Sequence, residues 1–210
     1  MFRRFLICAI ALAPICVDAQ VEPGRIELTP YGAYSFGGKV SNADSGVSSN
    51  VKDSGNFGLI LNIRESSKTQ LEFIYSQQDT KVNVTGLATG DVVLDSDVHY
   101  LQFGGTYQGE GDIIRPYLAA TVGAAYFDVL TDGFDGDTFF SFSIGTGLQV
   151  WPTKSFGLRL EARAFGTLVS SDSSLFCVSN PGAGFSGCAV SVEGDVLWQI
   201  QTMAGFVIRF

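Results

Sequence analysis

"LWQIQTMAGFVIRF" spans Leu197–Phe210. Read in steps of two from its end, one set is Phe210, Ile208, Phe206, Ala204, Thr202, Ile200 and Trp198. The intervening set is Arg209, Val207, Gly205, Met203, Gln201, Gln199 and Leu197. The first face is apolar with aromatics at both ends, and the second is mixed and carries the polar groups and a charge. A period of two is the signature of a β-strand with two unlike faces. A strand this apolar at the end of a chain raises the question of what buries it.

The same alternation runs through everything after residue 25. It predicts strands over residues 25–36, 56–65, 69–78, 97–108, 114–127, 138–151 and 155–169, and from about 195 to the end. Each is long enough to cross a bilayer when tilted, which takes roughly 9–11 residues. Their connections alternate in length. Those around "SSK", "GEGD" and "PTK" are short, and those over 37–55, 79–96, 128–137 and 170–194 are long. Short turns at one end and long loops at the other are the layout of an outer-membrane barrel, and a soluble sandwich has no reason to sort its loops in this way. The expected fold class is therefore all-β: a closed antiparallel eight-stranded transmembrane β-barrel with short periplasmic turns and long outer loops.

Composition agrees with a surface that water does not fully cover. Charged residues make up 16% of the 210, against roughly 25% in soluble domains. The net charge of −8 and the lack of a basic run beyond the first residues exclude nucleic acid as a partner. "MFRR", then the apolar "FLICAIALAPIC", then "VDA" before Gln20 reads as a signal peptide over residues 1–19. The barrel domain then covers 20–210. Aromatics fall at strand ends. Tyr107, Trp151, Phe156, Phe206 and Phe210 lie at the periplasmic ends, and Phe36, Phe57, Tyr75, Tyr126, Phe139 and Trp198 at the outer ends. Two girdles result, because such rings prefer the lipid–water boundary.

"ELTPYGAYSFGG", "FGLRLEARAFG" and "AGFVIRF" resemble the first, seventh and terminal strands of the small eight-stranded outer-membrane barrels of Gram-negative bacteria. The transmembrane domain of outer membrane protein A belongs to that family. The resemblance covers the whole chain after the signal peptide. It implies that Phe206, Ile208 and Phe210 form the terminal signal read by the barrel-assembly machinery. It also implies contact with outer-membrane lipid and lipopolysaccharide. No periplasmic cell-wall-binding domain is expected after Phe210.

The face opposite the lipid face carries the chemistry. Arg64, Glu72, Arg159, Glu161, Arg163 and Arg209 all fall on it, among Gly, Ser and Gln. An eight-stranded barrel has an interior just filled by side chains. Charges there must pair, so an Arg–Glu network centred on Glu72 and Glu161 is expected. Structural pairing is the first reading, and a narrow pore gated by the network is the alternative. Cys177 and Cys188 meet an oxidising compartment after export and are expected to form a disulfide in the last long loop. Residues 171–191 are then the first candidates for binding a host or partner surface.

Other motifs carry less. His99 is the sole histidine, beside Asp95, Ser96 and Asp97. It is the centre of a second alternative, a lipid-modifying enzyme, which needs a nucleophile bonded to the histidine. Asp132, Asp135 and Asp137 cluster in one outer loop without the spacing of a calcium-binding helix–loop–helix motif. The sequon at Asn83 is not expected to carry a glycan. No catalytic residue, cofactor or metal is assigned. A secreted ligand-binding barrel is the remaining soluble alternative.

Overall fold

The computed structural model describes residues 26–41, 48–85, 92–129, 136–169, 177–180, 185–188 and 195–210. The signal peptide expected over 1–19 and parts of the long outer connections lie outside them. Twelve strands follow in chain order: β1 (Ile26–Phe36), β2 (Lys39–Ser41), β3 (Ser48–Val51), β4 (Ser54–Arg64), β5 (Thr69–Thr85), β6 (Val92–Gln108), β7 (Ile114–Val129), β8 (Asp137–Val150), β9 (Phe156–Val169), β10 (Cys177–Asn180), β11 (Phe185–Cys188) and β12 (Asp195–Arg209).

Eight of them close a ring in the order β1-β4-β5-β6-β7-β8-β9-β12, every neighbour antiparallel. The seam is β1 on β12, with Glu27 opposite Arg209 and Phe36 opposite Ile200. Closure leaves no edge for lipid to meet, and a hydrocarbon environment demands that. The terminal strand is thus buried on one face by bilayer and paired along both edges. On the β12 side the ladder breaks after Leu28 and resumes at Tyr31, because Pro30 has no N–H to donate.

The two faces separate as the alternation requires. Outward residues stay exposed in the isolated chain, with Leu101 at 65% and Phe206 at 69%, and Leu118, Ile144 and Leu160 between the girdles. The inward residues Glu27, Ile60, Asn62, Glu72, Ile74 and Arg163 are buried. Short turns join β4 to β5, β6 to β7 and β8 to β9. In the second of these, Gly111 has φ +153° and a Cβ there would strike the Ile114 carbonyl, so this turn requires glycine.

Three outer connections hold more regular structure than the sequence predicts. The third and fourth strands reach to Thr85 and start at Val92, rather than stopping at 78 and starting at 97. Residues 37–55 contain the β2–β3 hairpin, which pairs with the outer part of β5 and prolongs the wall there. The reason is physical. Beyond the aromatic girdle the outward face meets water, so Asp79 and Lys81 occupy positions that lower down hold Phe73 and Tyr75. The lipid-facing signal ends there while the strand continues.

Candidate functional site

The lumen is the most elaborated part of the molecule. It is built in three layers, since every second residue of each barrel strand points inward.

At the periplasmic end Glu27 is fully buried and accepts from Arg64 Nη2 at 2.9 Å and from Arg209 Nε and Nη2 at 3.0 and 2.9 Å. The Arg209 guanidinium lies 3.5 Å over the Trp151 ring. The indole N–H donates to Gln149 Oε1 at 3.3 Å. This group closes the inner mouth.

The second layer is the ion network. Arg159 Nη2 lies 2.8 Å from Glu72 Oε2 and 2.6 Å from Glu161 Oε2. Arg163 Nη2 lies 2.5 Å from Glu72 Oε1, and its Nε lies 2.5 Å from Glu161 Oε1. Two guanidinium groups thus meet two carboxylates, and the set is neutral. The remaining hydrogen-bonding positions are filled. Asn62 donates to Glu72 at 3.0 Å and accepts from Arg159 at 3.0 Å. The Tyr117 hydroxyl donates to Glu161 at 2.6 Å, while Arg159 lies 4.5 Å over the Tyr117 ring. Arg163 Nη1 reaches Ser143 Oγ at 3.2 Å. In ring order β9 lies four strands from β5, so the pairs of Arg159 and Arg163 with Glu72 span the full width of the barrel, while those with Glu161 run along β9. Gly145 leaves the room they need, since a Cβ there would sit 2.5 Å from Glu161 Oε1.

The third layer, toward the outer end, mixes an apolar cluster with the buried side chains of Ser35, Asn56, Ser76, Gln78, Gln199 and Gln201. Tyr31, Ile60, Ile74, Val98, Tyr100, Phe127, Phe139, Phe165, Leu197 and Met203 pack into one buried cluster. Tyr100 and Phe165 have ring centroids 4.5 Å apart.

Of the six charges read from the sequence as luminal, Glu72, Arg159, Glu161 and Arg163 meet in the central network. Arg64 and Arg209 join Glu27 in a separate group at the inner mouth. Glu27, Asn62 and Tyr117 were not read as partners of these charges. Glu27 shares the parity of Tyr31 and was legible on that ground, and the other two required knowing which strands face each other across the lumen.

His99 points outward. It stands between Tyr75 and Tyr126, 6.2 Å from each ring centroid, and its Nδ1 lies 3.1 Å from the Tyr75 hydroxyl. Ser96 faces the lumen, buried, and donates to the Asp128 carbonyl at 2.9 Å. Opposite parity keeps this serine from the histidine. Among the described residues no group of His, Cys, Asp or Glu could hold a metal. Asp132 and Asp135 lie outside those residues, and Asp137 accepts from the Thr138 N–H at 2.8 Å. Cys177 stands opposite Cys188 in the β10–β11 hairpin register. Phe206 is exposed on the outer face of β12 and Phe210 is exposed just past its end, with Ile208 between them.

The family model described as "Outer membrane protein beta-barrel domain" matches residues 6–186. No curated protein matches the sequence. Among solved structures the chain is similar to Neisserial surface protein A at 14% identity and a TM-score of 0.60, covering 90% of this chain and 99% of that one. The N-terminal β-barrel domain of Pseudomonas aeruginosa OprF aligns at 13% identity and TM-score 0.45, over 89% and 100%. Ail, the attachment invasion locus protein of Yersinia pestis, aligns at 16% identity and TM-score 0.44, over 88% and 98%.

Proposed function

The chain belongs to the outer-membrane β-barrel domain family, and on that premise we propose that it is a non-enzymatic, non-conducting barrel that acts at the cell surface through its outer loops. Its location is the cell outer membrane. The observation that carries the reading is the filled lumen. A paired ion network crosses it, and an apolar cluster together with buried amide and hydroxyl side chains fills its outer half. With the wall committed to lipid and the interior to packing, the long outer connections are the parts left to meet a partner, and a rigid scaffold presenting variable loops is how such folds bind. The partner class is a host or other external surface, with residues 171–191 as the first contact. Lipopolysaccharide borders the rim above the girdle.

Two details belong to this reading. Residues directly opposite in an antiparallel pair have Cα atoms about 4.5–5.5 Å apart, within the span a disulfide bridges. Cys177 and Cys188 occupy such positions, so export oxidises them and pins the tip of this loop. Phe206, Ile208 and Phe210 guide insertion by the assembly machinery.

Planar-bilayer recording of the purified, refolded protein tests the first half, and silence is the expected result. Steps of current from the wild-type protein would overturn it. For the second half, cells displaying the intact chain are compared with cells in which 171–191 is replaced by a short Gly-Ser turn. Retention on host-cell monolayers falls to background in the replaced form, whereas equal retention sinks the loop assignment.

A further inference from the structure

On five strands an apolar lumen residue stands directly outward of a polar one. Two residues outward of Glu72 stands Ile74, and two outward of Asn62 stands Ile60. Arg163 is followed by Phe165, Gln102 by Tyr100 and then Val98, and Ser141 by Phe139. These apolar residues of β4, β5, β6, β8 and β9 join one buried apolar cluster, which the buried side chains of Ser35, Asn56, Ser76, Gln78, Gln199 and Gln201 flank. Within it Ile60, Ile74 and Val98 are 0% exposed, Phe165 1% and Tyr100 2%.

One member crosses the lumen. In ring order β6 lies four strands from β12, and the Tyr100 hydroxyl on β6 donates to Gln199 Oε1 on β12 at 2.5 Å. Gln199 Nε2 continues to Gln78 Oε1 on β5 at 3.4 Å. Phe165 from β9 packs on the Tyr100 ring. The tyrosine is thus anchored at its far end, so its ring lies as a bar across the interior rather than along the wall. The ionic bridge joins β5 to β9, and the tyrosine bar joins β6 to β12. The two spans lie one strand apart around the ring and one layer apart along the axis.

We propose that the Tyr100–Phe165 layer is a second permeation barrier, independent of the Arg–Glu network and sufficient by itself to stop ions. The proposal rests on the non-conducting reading above and extends it. An ion reaching this layer from the network finds no fixed charge to replace its water, and the packed Tyr100, Phe165 and Gln199 side chains leave its hydration shell no room. A rearrangement of the ion pairs therefore leaves the barrel closed. This places the control of any conductance in an uncharged tyrosine and phenylalanine, residues that a search for charged gates passes over.

The test uses the full barrel, refolded in detergent, with each variant checked for a heat-dependent shift in electrophoretic mobility. Current across planar bilayers is recorded for the wild type, for Glu72→Ala/Arg163→Ala, for Tyr100→Ala/Phe165→Ala, and for the four substitutions together. Both double variants are expected to be silent, and the combined variant passes from no resolvable current to discrete steps. Conduction by Glu72→Ala/Arg163→Ala alone would overturn the proposal, since the aromatic layer would then not be a barrier. Conduction by Tyr100→Ala/Phe165→Ala alone would overturn the independence of the two. A folded combined variant that stays silent would show that the layer is not what closes the path. Should the combined variant fail to fold, Glu72→Ala/Arg163→Ala with Phe165→Gly reads the same barrier at a smaller loss of packing. Current through the wild type would strike at the non-conducting reading instead, so the two failures are distinguishable.

Discussion

Glu72 holds two guanidinium groups at once, one oxygen facing each. Its side chain is completely buried, so water cannot take its place if it is removed. The two arginines would then share Glu161 alone and leave an unbalanced positive charge inside the barrel. Breaking a buried pair by deleting one partner costs about 3–5 kcal/mol, whereas replacing both partners by apolar groups of similar volume is often neutral. Glu72→Ala should therefore lower the urea midpoint in lipid vesicles far more than Glu72→Leu/Arg163→Leu does. Equal midpoints would mean that the burial of charge is not what the network balances. The luminal position of Glu72 was legible because it stands opposite the apolar Leu71 and Phe73 in "QLEFIYS", and those of Arg159, Glu161 and Arg163 were legible in the same way. Which arginine meets which glutamate was not legible. That depends on the stagger of strands around the closed ring, a property of the whole sheet and not of any one strand.

At the scale of a strand, alternation decides which of two chemically similar side chains meets lipid. The chain has two tryptophans. Trp198 in β12 shares the outward parity of Ile200 and Phe206, is 50% exposed, and stands edge-on to Phe142 with centroids 5.4 Å apart. Trp151 follows the end of β8 with the inward parity of Gln149, and the Arg209 guanidinium covers it, leaving 6% exposed. In lipid vesicles brominated acyl chains should quench the fluorescence of Trp151→Phe, which retains Trp198. They should leave that of Trp198→Phe nearly unchanged. Equal quenching in the two variants would place Trp151 on the wrong face. Reading Trp151 and Phe139 as girdle residues from their strand-end positions located their depth but not their direction, since both are turned inward, at 6% and 5% exposed. The outer ends of β5 and β6 were misread as well. A pattern of apolar residues facing lipid detects only the part of a strand that lipid touches, so "DTKVNVT" reads as loop although its backbone pairs with β6 through Val84.

Across the whole molecule, the closure of the ring and the insertion signal proposed for Phe206, Ile208 and Phe210 can be tested apart. The first and last barrel strands are neighbours, and the Phe210 N–H donates to the Ile26 carbonyl at 2.9 Å. Both ends of the described chain therefore lie at the periplasmic mouth, and a short linker between them would cross no membrane. Nothing in the ladders records the order in which strands leave the ribosome, so a permuted chain can rebuild every pair of the ring. Exposed turn tips are where such cuts are tolerated. A permutant joined from Phe210 to Ile26 and opened between Ser66 and Ser67 keeps all eight strands and the ion network intact. It ends on β4, however, whose last residues "LNIR" lack the Phe206–Ile208–Phe210 pattern. Refolded from urea into detergent, it should show the same heat-dependent mobility shift as the native order. Expressed behind an export signal, it should accumulate in the periplasm and be degraded. Failure to fold in detergent would mean that chain order matters to the barrel itself. Normal assembly in cells would mean that the terminal aromatic strand owes its composition to lipid contact and β1 pairing alone.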